Sequence, residues 1–222
     1  MFVRVDQRPN RLIPWATIAI IAICVVAFLW LATETADERA VFLRHWGTVP
    51  STLASENIPL PFRAVPLLTS LFIHADWLHL TGNLLFLMIF GISAERALGS
   101  RRFLALFLLG GAAANFAGAL SLGNASAPIV GSSGAVSAIV GAYFALFPRA
   151  RLGLVLPLGL FLEFVRIPAP ALIGFWILLQ LLFTFAGPTF GAVVWWTHIA
   201  GFALGILFAL FSRTAVARRL RQ

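Results

Sequence analysis

The sequence predicts an all-α membrane protein, a bundle of six transmembrane helices with a long first outer loop, and three observations carry that expectation. The 222 residues are 60% apolar and only 11% charged, whereas an average globular domain is about half apolar and about a quarter charged. Six apolar runs bounded by charge approach the ~20 residues a helix needs to cross a hydrocarbon core of about 30 Å. The charge lies between these runs, and all 16 basic residues are Arg. By size, residues 1–222 make a single membrane domain. A net charge of +8 would suit nucleic acid in a soluble protein, but Arg flanking long apolar runs fits the bilayer as partner and no nucleic acid. Cys24 is the only cysteine, so neither an intramolecular disulfide nor a Cys-based zinc site is expected; it reads as a small core hydrophobe.

The first run, Ile13 to Ala32, follows Arg4, Arg8 and Arg11, a pattern a secretory signal peptide shares. The span is preferred, because the run is longer than a signal core and no small-x-small cleavage site follows. From Thr33 to Asp76 comes a 44-residue outer loop, too long for a connector and therefore functional or folded back on the domain; it contains amphipathic pieces such as Trp46 to Leu53. The remaining spans are Trp77 to Leu98, Phe103 to Leu122, Gly131 to Phe147, Ala169 to Ala186 and Val193 to Ser212. Leu152 to Leu162 is too short to span, contains Pro157 and Gly159, and reads as interfacial. With these boundaries 13 of 16 Arg fall on one side, and only Arg39, Arg44 and Arg63 on the other. Cytoplasmic loops retain positive charge, so both termini are expected in the cytoplasm.

Polar groups inside the spans are costly and point to function. His79 and Asn83 lie in the second span, Ser133 and Ser137 in the fourth and His198 in the sixth, with His74 and Asp76 just ahead of the second. These three spans run in the same direction. Counted from their outer ends, His79, Asn83, Ser133 and His198 lie roughly 5 to 10 Å deep at 1.5 Å per residue. His79 and Asn83, four apart, share a helical face. A nucleophilic Ser needs a base and donors for the oxyanion it creates. No intramembrane carboxylate stands ready for a triad, so the simplest arrangement is a dyad. His198 would activate Ser133, while His79, Asn83 and the Ser133 amide would face the oxyanion. Gly131-Ser132-Ser133-Gly134 stands at a loop-to-helix junction whose first amides are unpaired. Gly201 and Gly205 follow His198 as a close-approach pair, and Gly134, Ser137, Ala138 and Gly141 face them in the fourth span.

On these residues the chain resembles the rhomboid intramembrane serine proteases of the prokaryotic six-helix type. Gly131 to Gly134 fits that family's GxSG motif, with Ser133 as nucleophile. His198, Gly201 and Gly205 fit HxxGxxxG, with His198 as base, and His74, His79 and Asn83 fit HxxxxHxxxN. Glu95, Gly99 and Arg102 resemble the family's end of the second span, and Phe62-Arg63 resembles a Trp-Arg motif in the first outer loop. The resemblance implies hydrolysis of peptide bonds in or beside the transmembrane segments of membrane proteins. It implies no metal or organic cofactor, and a home in the plasma membrane of a prokaryote. One departure stands out: some members carry an aromatic residue, stacked on the base, four positions after the nucleophile, where this chain has Ser137. Span five and the loop Gly187 to Ala192 are expected to form a lateral gate. A catalytically silent helix-binding protein and a small transporter are the alternative classes. The retained Ser and His weigh against the first, and the lack of a visible inverted repeat or intramembrane carboxylate against the second.

Overall fold

The computed structural model describes residues 13–158, 161–186 and 195–220; the loop at 187–192 and the Arg residues at positions 4, 8, 11 and 221 fall outside these. The first apolar run forms α1 (Trp15–Thr33), whose N-cap, Pro14, brings no side-chain acceptor. Glu95, a buried carboxylate inside the second span, where none was expected, supplies it from another helix. Its Oε1 accepts from the Ala16 amide at 3.0 Å and the Ser100 hydroxyl at 2.6 Å, and its Oε2 from the Thr17 amide and hydroxyl at 2.8 and 2.6 Å. A carboxylate there satisfies orphan amides and meets the positive end of the helix dipole.

The outer loop is folded into short helices, α2 (Ala36–Trp46), α3 (Pro50–Ala54), α4 (Leu60–Ala64) and α5 (Pro66–Thr69), followed by a 3-10 turn at Ser70–Phe72. Thr35 and Glu38 form a reciprocal capping box at the start of α2, and a proline in the first turn starts each of the next three. The amphipathic piece expected over Trp46 to Leu53 is accordingly two elements, with α2 ending before Pro50 begins α3.

Two long helices follow, α6 (Trp77–Leu98) and α7 (Ser100–Leu122), each carrying one π-helical stretch, at Leu87–Gly91 and Leu106–Gly110. Gly99 reverses the chain between them at φ +80°, a conformation that glycine adopts without a steric penalty. The guanidinium of Arg219 lies over it, 2.9 Å from where a Cβ would stand.

The next helix, α8 (Ser133–Leu146), is the centre of the molecule, with every residue from Gly134 to Tyr143 buried. A helix apolar and buried all round belongs at the middle of a bundle. Its 14 residues make about 21 Å of helix, short of the hydrocarbon thickness. Ser133 is its first residue, whereas the run from Gly131 placed it third in its span.

After α8 the all-α expectation is corrected at one place. Residues expected to lie as an apolar interfacial segment form an antiparallel hairpin, β1 (Arg151–Leu158) with β2 (Phe161–Pro168), in the register Arg151 to Pro168 through Leu158 to Phe161. Pro157 disfavours a helix here, and a short apolar run does not distinguish strand from helix by periodicity. The chain then enters α9 (Ala169–Ala186) and, after 187–194, α10 (Trp195–Leu220). The last helix runs past Ser212, where the apolar run stops, and ends in Arg218 and Arg219 at its negative pole. Among the described residues, α1, α6, α7 and α10 are long and apolar enough to cross a membrane, making this a multi-pass membrane protein.

The closest helix pair is α8 with α10. A Cβ on Gly201 would collide with the Gly134 carbonyl, one on Gly205 with the Ala138 carbonyl, and one on Gly141 with the Phe202 carbonyl. These backbones touch because small residues let them.

Candidate active site

The loop into α8 descends toward the bundle's interior, where lipid and packed side chains cannot solvate a backbone. Its polar groups are met by the outer loop. Thr48 and Ile129 exchange amide and carbonyl at 3.0 and 2.8 Å, and the Gly131 amide donates to the Ser70 carbonyl at 2.9 Å. A chain of side-chain donors lies beneath: Asn115 Nδ2 to Ser70 Oγ at 2.9 Å, Ser70 Oγ to Thr48 Oγ1 at 3.1 Å, and Thr48 Oγ1 to the Pro66 carbonyl at 2.9 Å. Since the Thr48 proton goes to Pro66, the direction of the whole chain is fixed.

Gly131 is glycine for two reasons, its φ of +112° and the His79 ring, whose Cε1 and Nε2 lie 2.5 Å from where a Cβ would be. His79 is thereby set against the GSSG turn. The start of α6 holds it: Asp76 caps the helix by accepting from the His79 amide at 2.8 Å. Asn83, one turn on, is buried and donates Nδ2 to the His79 carbonyl at 2.8 Å, which leaves its second amide proton for another acceptor.

The two serines of the turn differ. Ser132 and His74 are both buried, and His74 Nε2 accepts from the Ser132 hydroxyl at 3.2 Å and the Ser132 amide at 3.5 Å. Burial pushes His74 down to about 4, with the His79 ring 5.3 Å away acting in the same direction. Ser133 is only half-buried, and the next residue, Gly134, packs against Thr197 and Ala114. Asn115 Oδ1 and Thr197 Oγ1, which flank that contact, are buried without hydrogen-bond partners among the described residues.

His198 follows Thr197, and Gly201, one turn on, sits on the Gly134 carbonyl. The helix contact therefore sets the His198 turn of α10 against the first turn of α8. Among the described residues no hydrogen bond joins His198 to Ser133. The bond that His198 does make is to α9: Nδ1 donates to Gln180 Oε1 at 2.9 Å. Trp176, one turn before Gln180, stacks on the ring at a centroid distance of 6.3 Å and 29° between planes, and Trp195 meets it edge-on at 5.9 Å. Ser137 donates its hydroxyl to the Ser133 carbonyl at 2.7 Å, so that proton is spent within its own helix. Its Cβ lies 3.2 Å from the point where a Cβ on Gly201 would stand, which makes it a packing position.

The family model of the Rhomboid domain matches residues 61–214. The chain belongs to the rhomboid family. A curated relative, the Presenilin-associated rhomboid-like protein A, mitochondrial, of Danio rerio, is 32% identical over 96 residues. That match takes in 42% of this chain and 25% of the relative, so the chain spans well under two thirds of that protein's length.

Three polar residues of this rhomboid domain escape a motif search: Asn115, Thr197 and Gln180. Asn115 and Gln180 are lone polar side chains in apolar runs, an isolation that is itself a signal, whereas Thr197 is overshadowed by its neighbour His198.

Proposed function

We propose that this rhomboid protein is an intramembrane serine protease that hydrolyses peptide bonds in or near the transmembrane segments of other membrane proteins. The observation that carries this reading is the seating of Gly201 and Thr197 on Gly134, which lays the turn bearing His198 against the helix start bearing Ser133. In the reaction, His198 Nε2 takes the Ser133 hydroxyl proton as Oγ bonds to the substrate carbonyl carbon. The oxyanion faces the Ser133 amide, His79 and the free amide proton of Asn83. Collapse of the tetrahedral intermediate breaks the C–N bond, and the imidazolium gives its proton to the leaving amine. Water, activated by the same histidine, then releases the acyl group.

The reading includes six spans, with α8 and α9 crossing beside the four long helices, both termini in the cytoplasm, and residence in a prokaryotic plasma membrane. Physically, a helical substrate must unwind to offer its carbonyl, so small or helix-weakening residues are expected near the cleaved bond.

The test is purified full-length protein in proteoliposomes, with a transmembrane reporter and a fluorophosphonate probe. Wild type should cleave and label, and Ser133→Ala should do neither. Equal labelling of the two would refute Ser133 as nucleophile, and a chain that binds the reporter without cutting it would be a helix-binding protein.

A further inference from the structure

We propose that Gln180 of α9 is a positioning residue for the base, filling the place of the stacking aromatic absent at Ser137. This rests on the reading of His198 as general base. Four observations support it. Gln180 Oε1 lies 2.9 Å from His198 Nδ1. Oε1 can only accept, so Nδ1 carries the proton and Nε2 holds the lone pair that a base needs. Gln180 is buried, and it is the only amide side chain in α9, where a polar group without a function is costly. Trp176, on the same face one turn earlier, covers the ring. Ser137, the α8 residue at the position of the stacking aromatic, has its proton on the Ser133 carbonyl.

The arrangement places the third member of a Ser-His-Gln relay on a helix separate from both partners. A neutral acceptor fixes the tautomer and steadies the imidazolium by its dipole, without the net charge a carboxylate would bring into the bilayer. Trp176 also touches Phe86 of α6, at a centroid distance of 6.3 Å, so the same α9 face closes the α6 side of the bundle. A hydrogen bond does not survive a displacement beyond about 3.5 Å between heavy atoms. Any outward movement of α9 larger than about an ångström therefore releases the base, and chemistry requires α9 to be seated.

The experiment is 15N NMR of the four histidines in full-length protein in nanodiscs, assigned by His198→Ala, with kinetics on the same preparations. At neutral pH wild-type His198 should show a protonated Nδ1 and an unprotonated Nε2. Gln180→Met keeps the bulk and removes the acceptor. It should shift His198 toward the Nε2-protonated tautomer and lower kcat about 10-fold with KM little changed. Gln180→Glu restores an acceptor and adds charge, so His198 holds its proton more tightly and the acidic limb of the kcat/KM profile moves to higher pH. The other titratable group acting on His198 is His79 on α6. The acidic-limb shift should therefore persist in His79→Asn, a background whose lower rate leaves the profile measurable.

A wild-type His198 protonated at Nε2, or an unchanged tautomer and pH profile in Gln180→Met, would overturn the proposal. Should Gln180→Met fail to fold, the wild-type tautomer and the Gln180→Glu profile still decide. The tautomer is read without turnover, so a protein that cleaves nothing would sink the protease reading while leaving the Gln180 contact separately tested.

Discussion

Replacing Glu95 by Ala removes an acceptor that holds four donors. The carboxylate is 2% exposed and takes protons from the Ala16 amide, the Thr17 amide and hydroxyl, and the Ser100 hydroxyl. A hydrogen bond to a charged group contributes about 1.5 to 3 kcal/mol net, but the four share one site and are not additive. The substitution leaves two amides and two hydroxyls without their acceptor, each unsatisfied buried donor costs about 1 to 3 kcal/mol, and with partial re-pairing a loss of about 3 to 5 kcal/mol is expected. In a chain of this size it corresponds to a fall of roughly 6 to 20 °C in Tm. Glu95 lies 16 residues along α6 from His79, or about 24 Å, so kcat per folded molecule should stay near wild type. The assay is thermal unfolding in detergent micelles together with active-site titration by a fluorophosphonate. A Glu95→Ala protein within about 0.5 kcal/mol of wild type would show that solvent or lipid headgroups cap α1 as well as the carboxylate does. A collapse of kcat in well-folded protein would refute the separation of anchor from chemistry.

The other predictions can be tested on the same preparations. Ser133→Ala and His198→Ala should abolish cleavage, while Ser132→Ala should retain most of it, and reporter cleavage separates the three. His79→Ala and Asn83→Ala should each slow the reaction by up to about 100- to 1,000-fold if they donate to the oxyanion, read as a loss in kcat. His74 has its proton affinity lowered to about 4, below the ~6.5 of an unfolded histidine, so the unfolded chain binds its proton first. Its contribution is intact above about pH 6.5 and is lost as pH falls toward 4, by about 3 kcal/mol in all. His74→Gln should flatten that part of the pH–stability curve. For topology, Asn124→Cys should react with an impermeant thiol reagent from outside intact cells and Arg149→Cys should not, and external labelling of Arg149→Cys would invert the orientation.

The long apolar helices were legible because apolar length and flanking charge are local properties. Trp77 to Leu98 and Ala169 to Ala186 read from the sequence coincide with α6 and α9. The glycine pair after His198 also announced its contact, since Gly201 and Gly205 serve in α10 only if another backbone comes close, as Gly134 and Ala138 do. The hairpin at Arg151 to Pro168 was not legible. Leu recurs at every second position from 152 to 158, but apolar Val155 and Pro157 lie between, the second half, Phe161–Pro168, does not alternate, and a strand here depends on pairing between the two. The support of His198 was hidden for a different reason. Gln180 is 18 residues away in sequence, and only the packing of α9 on α10 makes it a neighbour. Sequence spacing gives relations within a helix, whereas this bond is a relation between two.

The structure bonds one Ser-His pair, Ser132 with His74, while the proposed chemistry falls to another, Ser133 with His198. Ser132 and His74 are hydrogen-bonded, 1% and 0% exposed, so no substrate carbonyl can approach that hydroxyl without unfolding the turn. The lone pair on His74 Nε2 is already engaged by the hydroxyl and amide of Ser132, and its lowered basicity suits a structural acceptor that must never charge. This pair ties the turn to the outer loop. Ser133, by contrast, is half-buried at the first position of α8, where the helix amides are unpaired and aimed outward. His198 is held by its far nitrogen, Nδ1, to Gln180, which makes Nε2 the nitrogen that carries the lone pair. A fixed pair one residue before the proposed nucleophile would thus divide scaffold from chemistry. Ser132→Ala should therefore show its loss in stability, and Ser133→Ala in rate.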